Sequence, residues 1–420
     1  VTEGIEYRTK RLKYVASVEM GQSPPAAEYS LSPEIGLPFL QGTADFGAEH
    51  PTPKVYCSSA TKLSSPGDIL FSVRAPVGEL NVADQIYGIG RGLCGIRVGE
   101  GLTQRFAWWA LHVVRDHLNL EATGSTYDAV SAEDVANLRL PIPDESVQDF
   151  IGEYLDHETS RIDALIATKE RLLELLAEKR RALITQSVTR GLNPNAPMRD
   201  SGLPWLGEIP RHWDFCLLKR HFHVALGKML DSKAQSGPGT SRPYLRAANI
   251  HWGRVLVDDV NEMLFTDDER TWYRLRKGDL LVTEGGVTVG RSAIWQDELP
   301  ECYYQNSLNR VRPKKDASPK LLYYWLYALK LNGYIDLLAS KATFGHLTKE
   351  MLEELPVLFV PPNEADQIVT FLESEEEKIN ASGNFTERTI DLLRERRIAL
   401  IAAAVTGKIE VGSIESAVPA

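Results

Sequence analysis

The sequence predicts an α+β protein with a pseudo-two-fold internal repeat. It consists of two similar modules of mixed sheet and short helices, each followed by one long helix. Three observations predict this. The chain repeats itself along its length, which is the first pattern to look for in any sequence. The first part of each copy is rich in glycine, aromatic and β-branched residues, arranged as short apolar runs between turn signals. The last part of each copy carries a heptad stripe.

The repeat is clearest near the end of each copy. Ile151, Leu155, Ile162, Leu175, Leu176, Glu178, Arg180, Ala182, Leu183, Ile184, Val188 and Thr189 recur 217 positions later, without a gap. Their counterparts are Ile368, Leu372, Ile379, Leu392, Leu393, Glu395, Arg397, Ala399, Leu400, Ile401, Val405 and Thr406. Earlier matches keep the same order at slightly different offsets. Gly67–Leu70 echoes Gly278–Leu281, and Pro38–Leu40 echoes Pro243–Leu245. Tyr7, Lys13 and Gly21 echo Trp213, Lys219 and Gly227.

Within the modules, Gly67–Val73, Gly92–Val98, Gly278–Thr283 and Asn309–Arg312 read as strands. Trp108–Leu118 and Leu321–Leu331 read as helices. The resulting organisation is a first module over 1–143, a first long helix over 144–190, a linker and second module over 191–360, a second long helix over 361–407, and a tail over 408–420. Pro141 and Pro143 precede the first long helix, and Pro361 and Pro362 the second, as prolines do where helices begin. Gly191 and Gly407 follow the last apolar positions as helix stops.

Leu155, Ile162, Leu176 and Leu183 share one heptad register, flanked by Ile151, Leu165 and Leu172. Leu372, Ile379, Leu393 and Leu400 take the same places in copy two. A 40-residue helix is about 60 Å long and cannot bury such a stripe alone. The other copy's helix is the natural partner, with polar breaks at Glu158/Glu375 and Lys169/Thr386 fixing the alignment. Ala381-Ser382-Gly383-Asn384 places a glycine inside the second helix, where it costs about 1 kcal/mol relative to alanine. A kink or break is expected there.

The formal charge of −10 argues at first against a nucleic-acid partner. It is not evenly spread. Residues 144–182 hold 6 basic and 10 acidic residues, and residues 363–397 hold 5 and 9, a net −4 each. The charge therefore describes the two long helices. Acidic positions there, Glu373 and Glu376 among them, are expected to face a basic protein partner.

Several enzyme classes find no support. The cysteines Cys57, Cys94, Cys216 and Cys302 lie too far apart for a metal knuckle or a disulfide-dense fold. No secretory leader pattern opens the sequence. Its longest wholly apolar run, Leu321–Leu329, is far below the roughly 20 residues that span a bilayer. A reducing cytoplasm fits. Gly285–Ser292 resembles a P-loop, but Arg291 stands where lysine is needed and a strand-like Ala293-Ile294-Trp295 follows instead of a helix. Gly90–Gly95 spells Gly-x-Gly-x-x-Gly, also before a strand, and reads as a tight turn. Asp231-Ser232-Lys233 lacks an acidic partner for nuclease chemistry. No metal site, no cofactor site and no catalytic constellation emerges.

What remains is a recognition surface. Loops and strand ends carry Gln41, Arg74, Arg91, Thr126 and Tyr127 in copy one. Copy two carries Arg246, Asn249, Arg291, Asn306, Lys341, Thr343 and Phe344. Arginine suits guanine edges, and glutamine or asparagine suits adenine. Lysine and threonine suit phosphates.

At this point the sequence resembles a known family, the specificity subunits of type I DNA restriction–modification systems. In copy one the resemblance is carried by Pro38–Gly42, Gly67–Asn81, Tyr87–Arg97, Ala122–Val130 and Leu140–Pro143. In copy two it is carried by Leu206–Trp213, Pro243–Asn249, Gly278–Trp295, Tyr304–Pro313 and Leu392–Gly407. The resemblance implies two target-recognition domains joined by a pair of long antiparallel helices, a coiled-coil-like spacer. It implies that each domain reads one half of a split double-stranded DNA target. It further implies that the helices seat two methyltransferase subunits, which bind S-adenosylmethionine, and that motor-nuclease subunits can join. The specificity subunit itself would be non-catalytic. The alternatives are a stand-alone DNA-modifying or DNA-cleaving enzyme and a non-DNA coiled-coil scaffold.

Overall fold

The computed structural model describes residues 7–121, 129–203, 205–230, 239–314, 317–340 and 345–409, with side chains left out over 116–121. The chain divides into two units. One runs to Glu170 and resumes at Glu387; the other runs from Arg171 to Thr386.

In the first unit, alternating apolar residues build a four-stranded antiparallel sheet. Its order is Ala16–Met20, Leu93–Val98, Ile69–Ser72, Leu80–Val82. The central strand Ile69–Ser72 is buried throughout, as a strand covered on both faces must be. The helix Gln104–Glu121 shares its core through Phe106, Trp109, Ala110 and Leu111. A second sheet contains Leu37–Leu40 and Tyr87–Ile89 as a parallel pair. Thr9–Arg11 pairs with Arg139–Pro141 and closes the base.

The second unit repeats the plan. Its four-stranded sheet runs Phe222–Leu226, Leu308–Pro313, Leu280–Thr283, Ser292–Ile294. Thr240–Leu245 and Tyr303–Tyr304 form the parallel pair, and Asp214–Leu217 pairs with Pro356–Phe359. The helix Pro319–Leu331 is started by Ser318, whose hydroxyl accepts from the Leu321 N–H, with Pro319 in the first turn.

One charged pair with a buried carboxylate recurs. Asp68 accepts from the Arg97 guanidinium through both oxygens, at 2.9 and 2.7 Å. Asp279 accepts from Arg312 at 2.6 and 2.6 Å. In each case the carboxylate also caps a turn, accepting from the N–H of Ser65 or Arg276 at 2.8 Å. The repeat therefore preserves a two-toothed arginine–carboxylate joint, the strong form of such a pair.

The long helices span Glu145–Arg190 and Pro362–Val405. Gly191 (φ 72°) and Gly407 (φ 75°) end them in the left-handed conformation that glycine adopts without strain. Inside the first unit, Ile151 and Leu155 share one core with Ile401, Ala404 and Val405. Arg397 donates to Asp163 and Arg394 to Glu170. Inside the second, Ile184 and Val188 share a core with Ile368 and Leu372, and Arg180 donates to Glu376 at 2.7 Å. Partner numbers in the first unit rise along one helix as they fall along the other, so the helices are antiparallel. The helix closing each module thus comes from the other copy.

Three helix expectations change. The second helix runs unbroken through Gly383, where a Cβ would meet nothing within 4 Å. The stripe's flanks are not fully covered: Leu165 and Leu172 are exposed, as are Leu175, Leu392 and Ile398 off the stripe. Glu376 and Glu373 are already engaged, the first by Arg180 and the Tyr324 hydroxyl, the second by Lys320. They are not the free acidic face that charge counting suggests.

Candidate nucleic-acid interface

In the first unit three strand ends meet around Gly92. The Gly90 N–H donates to the Leu40 carbonyl at 2.8 Å, and the Val73 N–H donates to the Gly92 carbonyl at 3.0 Å. A Cβ on Gly92 would lie 2.6 Å from the Gln41 carbonyl oxygen, so only glycine permits this approach. The result puts Gln41, Arg74 and Arg91 on one edge, all exposed. The Gln41 N–H is fixed by Asp45 at 2.7 Å and the Arg91 N–H by the Ser23 hydroxyl at 3.1 Å. Arg74 also bridges to Ala129. Thr126 and Tyr127 lie outside the described residues.

The second unit builds the same junction. Gln305 N–H donates to the Leu245 carbonyl at 2.9 Å, Glu284 N–H to the Ser307 carbonyl at 2.9 Å, and Leu347 N–H to the Glu284 carbonyl at 2.6 Å. These bonds match Gly90–Leu40, Val73–Gly92 and Val130–Val73 of the first unit. Arg246 therefore takes the place of Gln41, Asn306 that of Arg91, and Glu284 that of Val73. Arg246 is braced by Asp259, and the Asn306 N–H is held by the Lys228 carbonyl at 2.9 Å. Arg291 is half-buried across the following loop, its carbonyl accepting from Thr283 N–H at 2.8 Å. Lys341, Thr343 and Phe344 lie outside the described residues, as does Asp231-Ser232-Lys233.

Asn249, a candidate by residue type, is committed inside the fold. It is buried; its oxygen accepts from Arg246 N–H at 2.9 Å, and its amide donates to the carbonyls of Leu256 and Asp259 at 3.0 and 2.9 Å. Those bonds hold the loop that carries Arg246 and use the groups a base edge would need.

Residues missed from sequence belong here too. Glu284 lies at the centre of the second edge, with His346 Nδ1 at 3.9 Å. Burial pushes its carboxyl above the usual range; His346 opposes the rise and Glu350 adds to it. Aligning the repeat would have placed Glu284 opposite Val73 at that edge. The nucleotide-like motifs are turns: Gly286–Thr288 forms a single turn before the strand Ser292–Ile294, and Arg91-Gly92 separates two strands. Burial pushes the Cys94 and Cys302 thiols up to about 12, far from a reactive thiolate. Among the described residues, no group of three or more His, Cys, Asp or Glu is placed to hold a metal ion, and no helix is long and apolar enough to cross a membrane.

Two copies of one scaffold, each carrying a different set of polar side chains at the same edge, define a duplicated-module protein. Residues 5–175 and again 210–384 match the model of the type I restriction modification DNA specificity domain, and the chain belongs to that family. It is 34% identical over 171 residues to a putative type I restriction enzyme MjaX specificity subunit of Methanocaldococcus jannaschii, a match covering 40% of this chain and 39% of that one. It is 24% identical over 241 residues to the EcoKI specificity subunit of Escherichia coli, covering 54% and 49%. The matched stretches thus span about half or less of these relatives. Among solved structures, the HsdS subunit from Thermoanaerobacter tengcongensis superposes with a TM-score of 0.58 at 18% identity, over 96% of this chain and 97% of that one. A chain from a structure on complex assembly and conformational transition of the type I R-M system gives 0.74 at 18% identity, over 97% and 100%. These likenesses are of fold.

Proposed function

We propose that this chain is the sequence-specific DNA-recognition subunit of a type I restriction–modification complex. Each module reads one half of a bipartite double-stranded target, and the long helices set the gap and seat two methyltransferase subunits. The observation that carries this reading is the matched pair of edges. The same backbone junction presents Gln41 and Arg91 in one unit, and Arg246 and Asn306 in the other, with Arg74 beside it in the first and Arg291 across the following loop in the second. A scaffold that keeps its joints and varies its presented donors is what two different half-sites require.

The chain itself is non-catalytic in this reading. S-adenosylmethionine belongs to the partner methyltransferases, and DNA cleavage to motor-nuclease subunits where these join. Exposed Leu165, Leu172, Leu175, Leu392 and Ile398 on the long helices supply apolar surface for those partners. Most phosphate contacts, and the salt dependence they bring, come from the partners. The site of action is the cytoplasm.

The deciding experiment sequences modified bases in cells with and without this gene, partner genes present. Loss of a methyl mark at a split motif is the expected result; an unchanged set of marks overturns the reading. Replacing residues 1–143 by another such module is expected to change one half-site only.

A further inference from the structure

Glu284 follows the strand Leu280–Thr283 directly. Its N–H donates to Ser307 and its carbonyl accepts from Leu347, so its backbone is clamped from two sides. At the next residue, Gly285, the His346 imidazole occupies the space of a side chain, with ring atoms 3.2–3.3 Å from where a Cβ would be. The Glu284 side chain is only 17% exposed, and its ion-pair partner His346 stays 3.9 Å away, beyond hydrogen-bond reach. Among the described residues no donor hydrogen-bonds this carboxylate. Holding it so destabilises the folded protein. Such local violations concentrate at functional sites. The first unit has Val73 in the matching place, so the fold itself does not require an acid here.

We propose that Glu284 reads a cytosine in the half-site taken by the second module, its carboxylate accepting a hydrogen bond from the exocyclic 4-amino group in the major groove. This rests on the DNA-reading role of that edge. An ionised carboxylate only accepts. Guanine O6 and N7 and thymine O4 are acceptors and repel it. Adenine offers its amino group beside the acceptor N7, a pair suited to asparagine or glutamine. Cytosine alone presents a major-groove donor without an adjacent acceptor. Arg246 on the same edge carries only donors, so the acid adds a pure acceptor beside it.

The test uses the assembled complex of this chain with its methyltransferase partners, and target DNA in which each cytosine in turn is replaced by pyrimidin-2-one, which lacks the 4-amino group. At one cytosine of the second module's half-site, wild-type affinity is expected to fall at least about fivefold. With Glu284→Val, the residue of the matching place in the first unit, the fall at that position shrinks below about twofold because no side-chain acceptor remains, while replacements in the other half-site weaken both proteins equally. A half-site with no G·C pair, a wild-type scan with no sensitive cytosine, or an equal fall in both proteins overturns the inference. The wild-type scan decides even where the variant folds poorly. A complex that modifies no split site at all overturns the proposed function instead.

Discussion

Asp68 and Asp279 do the same job in the two units, yet at different depths. Asp68 is 6% exposed beneath an Arg97 that is 53% exposed; Asp279 is 1% exposed beneath an Arg312 that is 22% exposed. A second joint keeps its depth but changes its aromatic partner. In the first unit Arg105 pairs with Asp156, which also accepts from Trp109 Nε1 at 2.8 Å. In the second, Lys320 pairs with Glu373, but the aromatic anchor has moved one turn on, where the Tyr324 hydroxyl donates to Glu376 at 2.7 Å beside Arg180. Thr159 stands at the matching place in copy one and spends its hydroxyl on the Leu155 carbonyl. The comparison teaches that backbone junctions survive duplication while side-chain partners drift. Drift is greatest at the presented edge, where Gln41, Arg91 and Val73 face Arg246, Asn306 and Glu284.

Variants can break that comparison in order of size. Asp279→Ala leaves Arg312 without its partner and is expected to cost about 3–5 kcal/mol. Asp68→Ala, under a more exposed arginine, is expected to cost less. Denaturant unfolding measures both, and equal losses would show that depth does not set the value of the joint. Gly227→Ala comes next. Its Cβ would sit 2.2 Å from the Gln305 carbonyl oxygen, as a Cβ on Gly21 would sit 2.1 Å from that of Gly90. Overpacking of this kind costs about 1–3 kcal/mol. Each substitution is expected to distort only its own module's edge, so loss of recognition at one half-site is the readout; loss at both contradicts independent edges.

Tyr324→Phe removes a hydrogen bond to a charged acceptor, worth about 1.5–3 kcal/mol when that acceptor loses its only donor. Arg180 still serves Glu376, so the loss is expected at the low end, and a thermal melt reads it. The smallest effect has the opposite sign. Glu284 has its carboxyl raised by burial. At low pH it is protonated both folded and unfolded. As pH rises past the ordinary glutamate value of about 4.3, the unfolded state releases its proton first and native stability falls. Glu284→Gln lacks that fall. Its melting temperature is expected to match the wild type near pH 4 and to exceed it by a growing margin toward neutrality. A constant margin across pH would contradict the assignment.

Much of the architecture was legible in sequence because it is local or repeated. Pro362 opens the second long helix, Gly191 and Gly407 close the two helices, and the glycine-aspartate turns at Gly67 and Gly278 start their strands. The proposed reading edges were legible only in part. Gln41, Arg74 and Arg91 are brought together by bonds among strand ends far apart in sequence, which no local pattern encodes. Asn249 looked like a base reader because its type fits adenine; its burial follows from the loop returning at Leu256 and Asp259. Glu284 escaped notice since nothing beside it in sequence marks it as clamped. Heptad spacing marked the apolar stripe but not how much of it this chain covers by itself. Counting charges likewise found the acidic helices but not that Arg180 and Lys320 already neutralise Glu376 and Glu373.

The antiparallel exchange of helix ends has a consequence for synthesis on the ribosome. The second unit is one uninterrupted stretch, Arg171–Thr386, whereas the first needs residues from Glu387 onward. Leu155 meets the ribosome exit long before Ile401, its core neighbour. At about 5–20 residues per second the wait is on the order of 10–50 s. The module made first is therefore the one completed last. Until then the part of the Ile151–Leu155 surface that Ile401, Ala404 and Val405 cover has only the first module's own residues against it.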